Sequence, residues 1–370
     1  MATEVLPDER ALRYGRRARA LAAMEAHDLD VLVLGRPANI RYVAGVPLLW
    51  NAGTRAFGPG CVLVRSTGDV HLLSTWDEGV PDEIPHEHLY GITWNPVNLV
   101  SVLQRIGDAA EPRRVGTDAL SPLFAKLLPM AFPRAQVVDG ERALSLARRV
   151  KTDEEVSAIR AAIAIAEAGL AEAIAQLRPG VRERELTGVF MDAIASRGVT
   201  TPATQDVVRI TRPLRRGADD HVHPGDLVAF DAAVVASGYT GEVGRTWLAG
   251  TDGNAFGVRD LFRRWSELRE RLIEACQPGA RGSALFAAYE AAGEAVPARP
   301  IVRGLGLGFD EPLVVRDLPE TAVAERLDIG AVVVVTGYVA DDAGAVIGHE
   351  AVLITPTGPE VLTSSPQWSA

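Results

Sequence analysis

Two acidic residues stand where apolar strands would not ordinarily carry them. Asp231 closes the run Leu227-Val-Ala-Phe230, and Glu242 sits inside Gly241-Glu-Val-Gly-Arg-Thr246. A carboxylate in such a setting must be ion-paired or face a pocket. Each therefore reads either as half of an internal salt bridge, with Arg245 or Arg303 as partner, or as part of a site. His349-Glu350 opens a third apolar strand, Ala351-Val-Leu-Ile354. An imidazole among carboxylates can take and return a proton near neutral pH. Glu242 and His349 are thus a candidate proton-transfer pair, with Asp231 holding a cationic group and Glu350 adjoining.

Arginines supply the complementary charge. Arg303 precedes Gly304-Leu-Gly-Leu-Gly308 and could neutralise the two carboxylates or grip an anion bidentately. That glycine spacing is not the dinucleotide fingerprint, and no strand-helix-strand unit surrounds it. Arg212, Arg215 and Arg216 form a basic cluster that reads as surface charge or as the rim of an anion pocket. His221-Val-His223 has the i, i+2 spacing of one strand face, but just before Pro224-Gly225 it reads as a solvated turn. His86-Glu-His88 reads as an exposed loop.

The elements that must position these residues fall into two textures. An Arg/Ala-rich amphipathic helix is predicted from Glu9 to about Ala26, then a buried strand over Leu29–Leu34. Strands at Gly60–Val64, Val70–Leu73 and Gln136–Val138 follow, with helices around Val97–Ile106 and Leu120–Leu128, which argues an α/β domain over residues 1–150. Thr152-Asp-Glu-Glu155 is a capping box that starts a helix running towards Pro179-Gly180. A second helix spans Glu183–Ser196. Beyond it come strands at Val207–Ile210, Leu227–Val235, Thr246–Ala249, Ala331–Val335 and Val352–Thr355. They are interrupted by helices at Phe256–Cys276 and Ala284–Ala295, so residues 151–370 read as α+β.

The 370 residues include 38 Lys and Arg against 48 Asp and Glu, for a net charge of −10. Such a balance argues against nucleic acid or an anionic membrane as partner. Apolar residues make up 47% and charged residues 23%, ordinary globular usage. The two cysteines, Cys61 and Cys276, carry no pairing signature and fit a reducing compartment. The polar start has no leader pattern, and no apolar run is long enough for a membrane helix. The expectation is a soluble, cytoplasmic protein.

Several segments, in order and in register, resemble the creatinase/aminopeptidase P/prolidase superfamily of metallopeptidase family M24, with its pita-bread fold. They are Asp30-Val-Leu-Val-Leu34 with Pro37-Ala-Asn-Ile-Arg-Tyr42 and Gly45, the hinge Arg149–Arg160, and Pro224-Gly-Asp-Leu-Val-Ala-Phe-Asp231. Gly238-Tyr239 with Arg245-Thr246, and Leu327-Asp-Ile-Gly-Ala-Val332, complete the set. The resemblance implies a creatinase-type N-terminal α/β domain over 1–150 and a pita-bread catalytic domain over 151–370. It also implies a two-metal site of two Asp, one His and two Glu. Here those positions hold Asp231, Glu242, Arg303, Thr336 and His349, so only the first is unchanged. An arginine cannot ligate a metal, and a normal dinuclear site is not expected. A single metal on Asp231, Glu242 and His349 remains open.

Creatinase has this fold and works without metal, although the position of its general-base His holds Leu214 here. The resemblance places Arg55 and Arg316 where creatinase-like enzymes grip a substrate carboxylate, Arg55 doing so across a homodimer interface. Arg303, Thr336 and Tyr239 join them as substrate-binding candidates. Asp310, in Asp310-Glu-Pro312, replaces an imidazole and is a candidate acid. The expectation is a metal-independent, cofactor-free creatinase-like hydrolase or lyase, cleaving a C–N bond in a small anionic amino-acid-like substrate. Its alternatives are a pseudoenzyme or binding module, and an Xaa-Pro-type metallopeptidase with unusual ligands.

Overall fold

Helix α1 (Glu9–Ala26) starts where the Asp8 side chain accepts hydrogen bonds from the Arg10 and Ala11 amides, 3.0 and 3.1 Å, satisfying two otherwise orphaned donors. In the computed structural model, which describes residues 8–46, 59–73, 79–91, 95–118, 121–204, 207–211, 221–250 and 255–368, the chain divides into two compact units, Asp8–Arg148 and Arg149 onward.

In the first unit α1 is followed by β1 (Val31–Leu34), α2 (Pro37–Ala44), β2 (Cys61–Val64), β3 (Val70–Leu73) and β4 (Leu89–Tyr90). Then come α3 (Pro96–Ala110), β5 (Arg114–Thr117), α4 (Pro122–Ala131), β6 (Gln136–Asp139) and α5 (Glu141–Arg149). The strands form one mixed sheet, ordered β4-β3-β2-β1-β5-β6. Every side chain of β1 is buried, which is why its sequence is a continuous apolar run. Helix α2 was not legible as a helix. Its Pro37 start is held by buried Asp118, which accepts from the Gly35 and Arg36 amides and from Asn39 Nδ2.

The second unit contains α6 (Asp153–Ala175), α7 (Glu183–Ala195), β7 (Val208–Ile210), β8 (Asp226–Ala236), β9 (Tyr239–Ala249), α8 (Ala255–Ala275) and α9 (Gly282–Ala291). It ends with β10 (Val302–Leu305), β11 (Phe309–Val314), α10 (Pro319–Ala324), β12 (Val332–Asp341), β13 (Gly344–Thr355) and β14 (Gly358–Val361). The capping box forms in both directions: Glu155 N donates to Thr152 Oγ1, and Thr152 N to Glu155 Oε2. The sheet is antiparallel, ordered β11-β10-β12-β13-β9-β8-β7, with β14 on β13. Strand alternation divides its faces. Phe230, Ala232, Val234 and Val243 pack with α6 and α7, while Val333, Val335, Val346 and Val352 pack with α8 and α9. Asp231, Glu242, Thr336 and His349 alternate with these residues and therefore point to the other face. The sheet curls around that face: Thr240 N, on β9, donates to the Gly306 carbonyl beyond β10 at 2.8 Å, although β12 and β13 lie between the two strands in sheet order.

The central strands are longer than expected. β9 reaches back to Tyr239, β12 runs on to Asp341, and β13 begins at Gly344. Polar and glycine residues on the inner face, with close helix packing on the outer, interrupt the apolar texture that marks a strand. Glycines allow the close packing. A Cβ at Gly337 or Gly348 would press on Trp265 of α8, and one at Gly241 would fall inside the backbone of Ala162–Ile163 on α6. Among the described residues no helix is long and apolar enough to cross a membrane.

Two outcomes follow from this packing. Gly241→Ala should cost about 1–3 kcal/mol or more through overpacking, read as a lower urea midpoint; an unchanged midpoint contradicts the contact. In the first unit, burial and then the neighbouring His88 imidazole push His71 down to about 4, with Asp69 pulling the other way. An unfolded histidine titrates near 6.5, so between these values the unfolded chain binds a proton that the folded unit refuses. Stability on this account is full above about pH 7 and is lost as pH falls through 6.5 towards 4. His71→Gln should flatten the fall in thermal midpoint between about pH 7 and pH 5; an identical slope contradicts it.

Candidate functional site

Register builds the site before side chains do. Asp231 on β8 pairs with Gly244 on β9, Gly244 with His349 on β13, and His349 with Thr336 on β12. One row thus crosses four neighbouring strands, each roughly 4.8 Å from the next. Gly244 is the gap in that row. A Cβ there would lie 2.8 Å from both Cγ and the backbone N of His349, so only glycine lets the imidazole lie across β9 towards Asp231. Glu242 stands two residues along β9 on the same face. Arg303 reaches it from β10, brought close by the curl of the sheet.

The side chains converge. One donor atom each from Asp231, Glu242 and His349 lies within 4.8 Å of the others. His349 Nε2 is 3.9 Å from Asp231 Oδ2, and its Nδ1 is 2.8 Å from Thr336 Oγ1. Tyr289 on α9 steadies Thr336 from outside, its hydroxyl donating to the Thr336 carbonyl at 2.9 Å and accepting from Tyr338 N at 3.1 Å. With Nδ1 engaged by Thr336, Nε2 is the ring nitrogen left towards the carboxylates. Glu242 is completely buried, and its Oε1 is ion-paired with Arg303 Nη2. Burial raises the Glu242 carboxyl above its ordinary range; Arg303 and His349 oppose that shift, and Asp231 adds to it. Among the described residues Glu242 Oε2, Asp231 Oδ1 and Arg303 Nη1 are buried with no hydrogen-bond partner. The Arg303 guanidinium lies 3.9 Å over the Phe309 ring.

Alternation corrects two expected site residues. Glu350, next to His349, points to the helix side, where it accepts from Arg245, Arg269, Thr363 and Gln367. Its carboxylate is fully engaged and holds the C-terminal segment; it has no place in the chemistry. Tyr239, three residues from Glu242, also faces the helices, and its buried hydroxyl donates to Glu155 Oε1 at 2.9 Å. It is therefore no substrate contact. Arg316 is half exposed and bonds Asp317 and the Val296 carbonyl; none of these described contacts is with the cluster. Asp310 lies on β11 opposite Gly304, one residue along from Arg303 but outside the three-donor group. Arg55, Arg212, Leu214, Arg215 and Arg216 lie outside the described residues. His221 accepts from Arg182 Nε at 2.9 Å, apart from the site. Sequence reasoning missed Gly244 and Tyr289. A glycine among glycines and a tyrosine in an alanine-rich helix give no signal until the strands are registered.

A curled antiparallel sheet with carboxylates and an imidazole on its inner face and helices on its outer face defines a pita-bread protein. Metallopeptidase family M24 matches residues 157–356, and the creatinase/prolidase N-terminal domain matches residues 16–150. The chain belongs to family M24. It is 26% identical to an uncharacterised hydrolase/peptidase of Sinorhizobium fredii, over 92% of this chain and 91% of that protein. It is 23% identical to the Xaa-Pro dipeptidase of Pyrococcus horikoshii, over 92% and 95%. Among solved structures, the prolidase from Pyrococcus horikoshii superposes with a TM-score of 0.76 at 18% identity, covering 95% of this chain and 99% of that one. The Xaa-Pro dipeptidase from Bacillus anthracis gives 0.75 at 17%, covering 96% and 99%.

The match to metallopeptidase family M24 and the relatives named Xaa-Pro dipeptidase overturn the expected metal-independent, creatinase-like hydrolase or lyase and fit the metallopeptidase alternative better. The physical reason is that substitution left three donors, Asp231, Glu242 and His349, together. Two metals do not fit, because Arg303 occupies one oxygen of Glu242 and the Thr336 hydroxyl is engaged with His349. One divalent cation does fit. The Asp231 and Glu242 carboxylates, each with an oxygen unpartnered among the described residues, and the imidazole are the hard-oxygen and nitrogen donors such an ion takes. The assignment of Glu350 carries its own test. Glu350→Gln should destabilise the unit by about 3–5 kcal/mol, because buried Arg245 loses its counter-charge. Wild-type stability in that variant would contradict the structural role.

Proposed function

We propose that this chain is a metal-dependent hydrolase of short peptides, with Xaa-Pro dipeptides the first substrates to test, working with a single divalent cation held by Asp231, Glu242 and His349. The observation that carries the reading is the convergence of Asp231, Glu242 and His349 on the inner face of the sheet, with one oxygen of each carboxylate buried and unpartnered among the described residues. Such a cation, when bound, polarises a carbonyl and makes water a nucleophile near neutral pH.

The chain's own groups do the rest. Thr336 holds the His349 ring at Nδ1. Arg303 keeps a permanent positive charge on Oε1 of Glu242, where the family pattern has a metal-ligating histidine. Its unpartnered Nη1 can donate to a substrate carbonyl or carboxylate. Phe309, stacked on that guanidinium, limits its movement and covers it from water. The binding-module reading has one observation in its favour, the buried Glu242–Arg303 ion pair, which satisfies both charges without any ligand.

The test is release of free amino acid from Xaa-Pro and other dipeptides by chelator-treated protein, before and after addition of Mn²⁺, Co²⁺ or Zn²⁺. Turnover should require the cation and vanish in His349→Ala. Thr336→Val should lose about 10–100-fold in cation affinity or activity, since it removes only the group that orients the ring. Equal turnover in chelator would overturn the reading. Saturable dipeptide binding without turnover under any cation would favour the binding module.

A further inference from the structure

We propose that Asp69, His71 and His88 form a second cation site, in the N-terminal unit, for a borderline transition metal of the Zn²⁺, Co²⁺ or Ni²⁺ class. Among the described residues these three are the one other group whose donor atoms all lie within 4.8 Å of one another. The backbone assembles them. Asp69 immediately precedes β3 and lies two residues from His71, so both point to the same face. Leu72 of β3 pairs with Leu89 of β4, and extending that register by one residue sets His88 beside His71. The two imidazole centroids are 4.1 Å apart, with the rings tilted by 37°.

Three features point to a ligand. His88 Nδ1 is fully buried and has no hydrogen-bond partner among the described residues, an unmet acceptor or donor beside a second imidazole. Asp69 supplies negative charge to the pair, and its side chain, like both imidazoles, is half-buried and so open to an ion from solution. The Tyr90 hydroxyl lies 3.4 Å from His71 Nδ1 and gives that ring an outer partner, as metal-binding histidines commonly have. Arg105 rests 5.7 Å over the Tyr90 ring and is the nearby cation that the site must tolerate. Two imidazoles and one carboxylate suit zinc-like ions rather than Ca²⁺ or Mg²⁺, which prefer oxygen donors throughout.

Such an ion would have a structural task. β4 is a two-residue edge strand, and its pairing with β3 covers only Leu72–Leu89 and Leu73–Tyr90. An ion bridging His71 and His88 ties that edge to the sheet and stabilises the folded unit by mass action.

The test is calorimetric titration of Zn²⁺ into the full-length, chelator-treated chain, with the thermal midpoint recorded with and without the ion. Wild type should bind one more equivalent at micromolar Zn²⁺ than His88→Ala, and the missing equivalent should persist in His349→Ala. Asp69→Asn should weaken the same equivalent by about tenfold or more. Co²⁺ should shift the ring resonances of His71 and His88 in a ¹⁵N-histidine spectrum. Identical stoichiometry and affinity in wild type, His88→Ala and Asp69→Asn would overturn the site, as would binding only at millimolar Zn²⁺. If His88→Ala does not fold, His88→Gln and Asp69→Asn make the same comparison.

Discussion

A carboxylate fully removed from water is the group around which the catalytic unit is arranged. Glu242 is 0% exposed, and burying an ionised carboxylate costs several kcal/mol unless charge and hydrogen bonds return it. Arg303 returns half, on one oxygen. The other oxygen is bare among the described residues, and so is one oxygen of Asp231 beside it. Two acids facing one fixed cation leave a negative excess that a divalent ion would balance. With four of five family ligand positions altered, the chain still brings three potential cation donors together. The altered positions are not scattered. Glu242 and His349 keep donors in the cluster, while Arg303 brings a built-in positive charge and Thr336 becomes a support for the imidazole.

The rest of the unit serves to hold that inner face still. Strand alternation sends every second residue to the helices, and there the packing is close enough to require glycine at 241, 337 and 348. On the same outer side Arg245 and Glu350 form a buried pair, and Arg245 also donates to the His349 and Ser365 carbonyls. The backbone of His349 is thereby clamped by an ion pair on the helix side of the sheet. Tyr289 does the equivalent for Thr336 from α9. Of the side chains that look catalytic by type, Glu350 is part of this clamp and Tyr239 is tied to Glu155 on α6.

Much of this was legible in the sequence, for identifiable reasons. The capping box at Thr152, the apolar runs of β1 and β8, and the misplaced carboxylates Asp231 and Glu242 are local signals, and the structure keeps each of them. The boundaries of β9, β12 and β13 were not legible. Their inner-face residues are polar or glycine and look like loop until the partner strands are known. Face assignment failed where residues adjoin: His349 and Glu350 are equally acid–base residues in sequence, and only the pleat separates them. The inference drawn from Arg303 also failed. A lost histidine ligand suggested that metal chemistry was gone, whereas three donors remain together and the arginine is paired with one Glu242 oxygen only.

The central claim is one cation in a site built from Asp231, Glu242 and His349, with Arg303 paired to Oε1 of Glu242. Anomalous diffraction from Mn²⁺-soaked crystals, collected near the manganese edge, tests it most directly. The account predicts a single peak among these three side chains, with the Arg303–Glu242 pair intact. Two peaks about 3.5–4 Å apart, the spacing of a two-metal site, or no peak among them at saturating Mn²⁺, would contradict it.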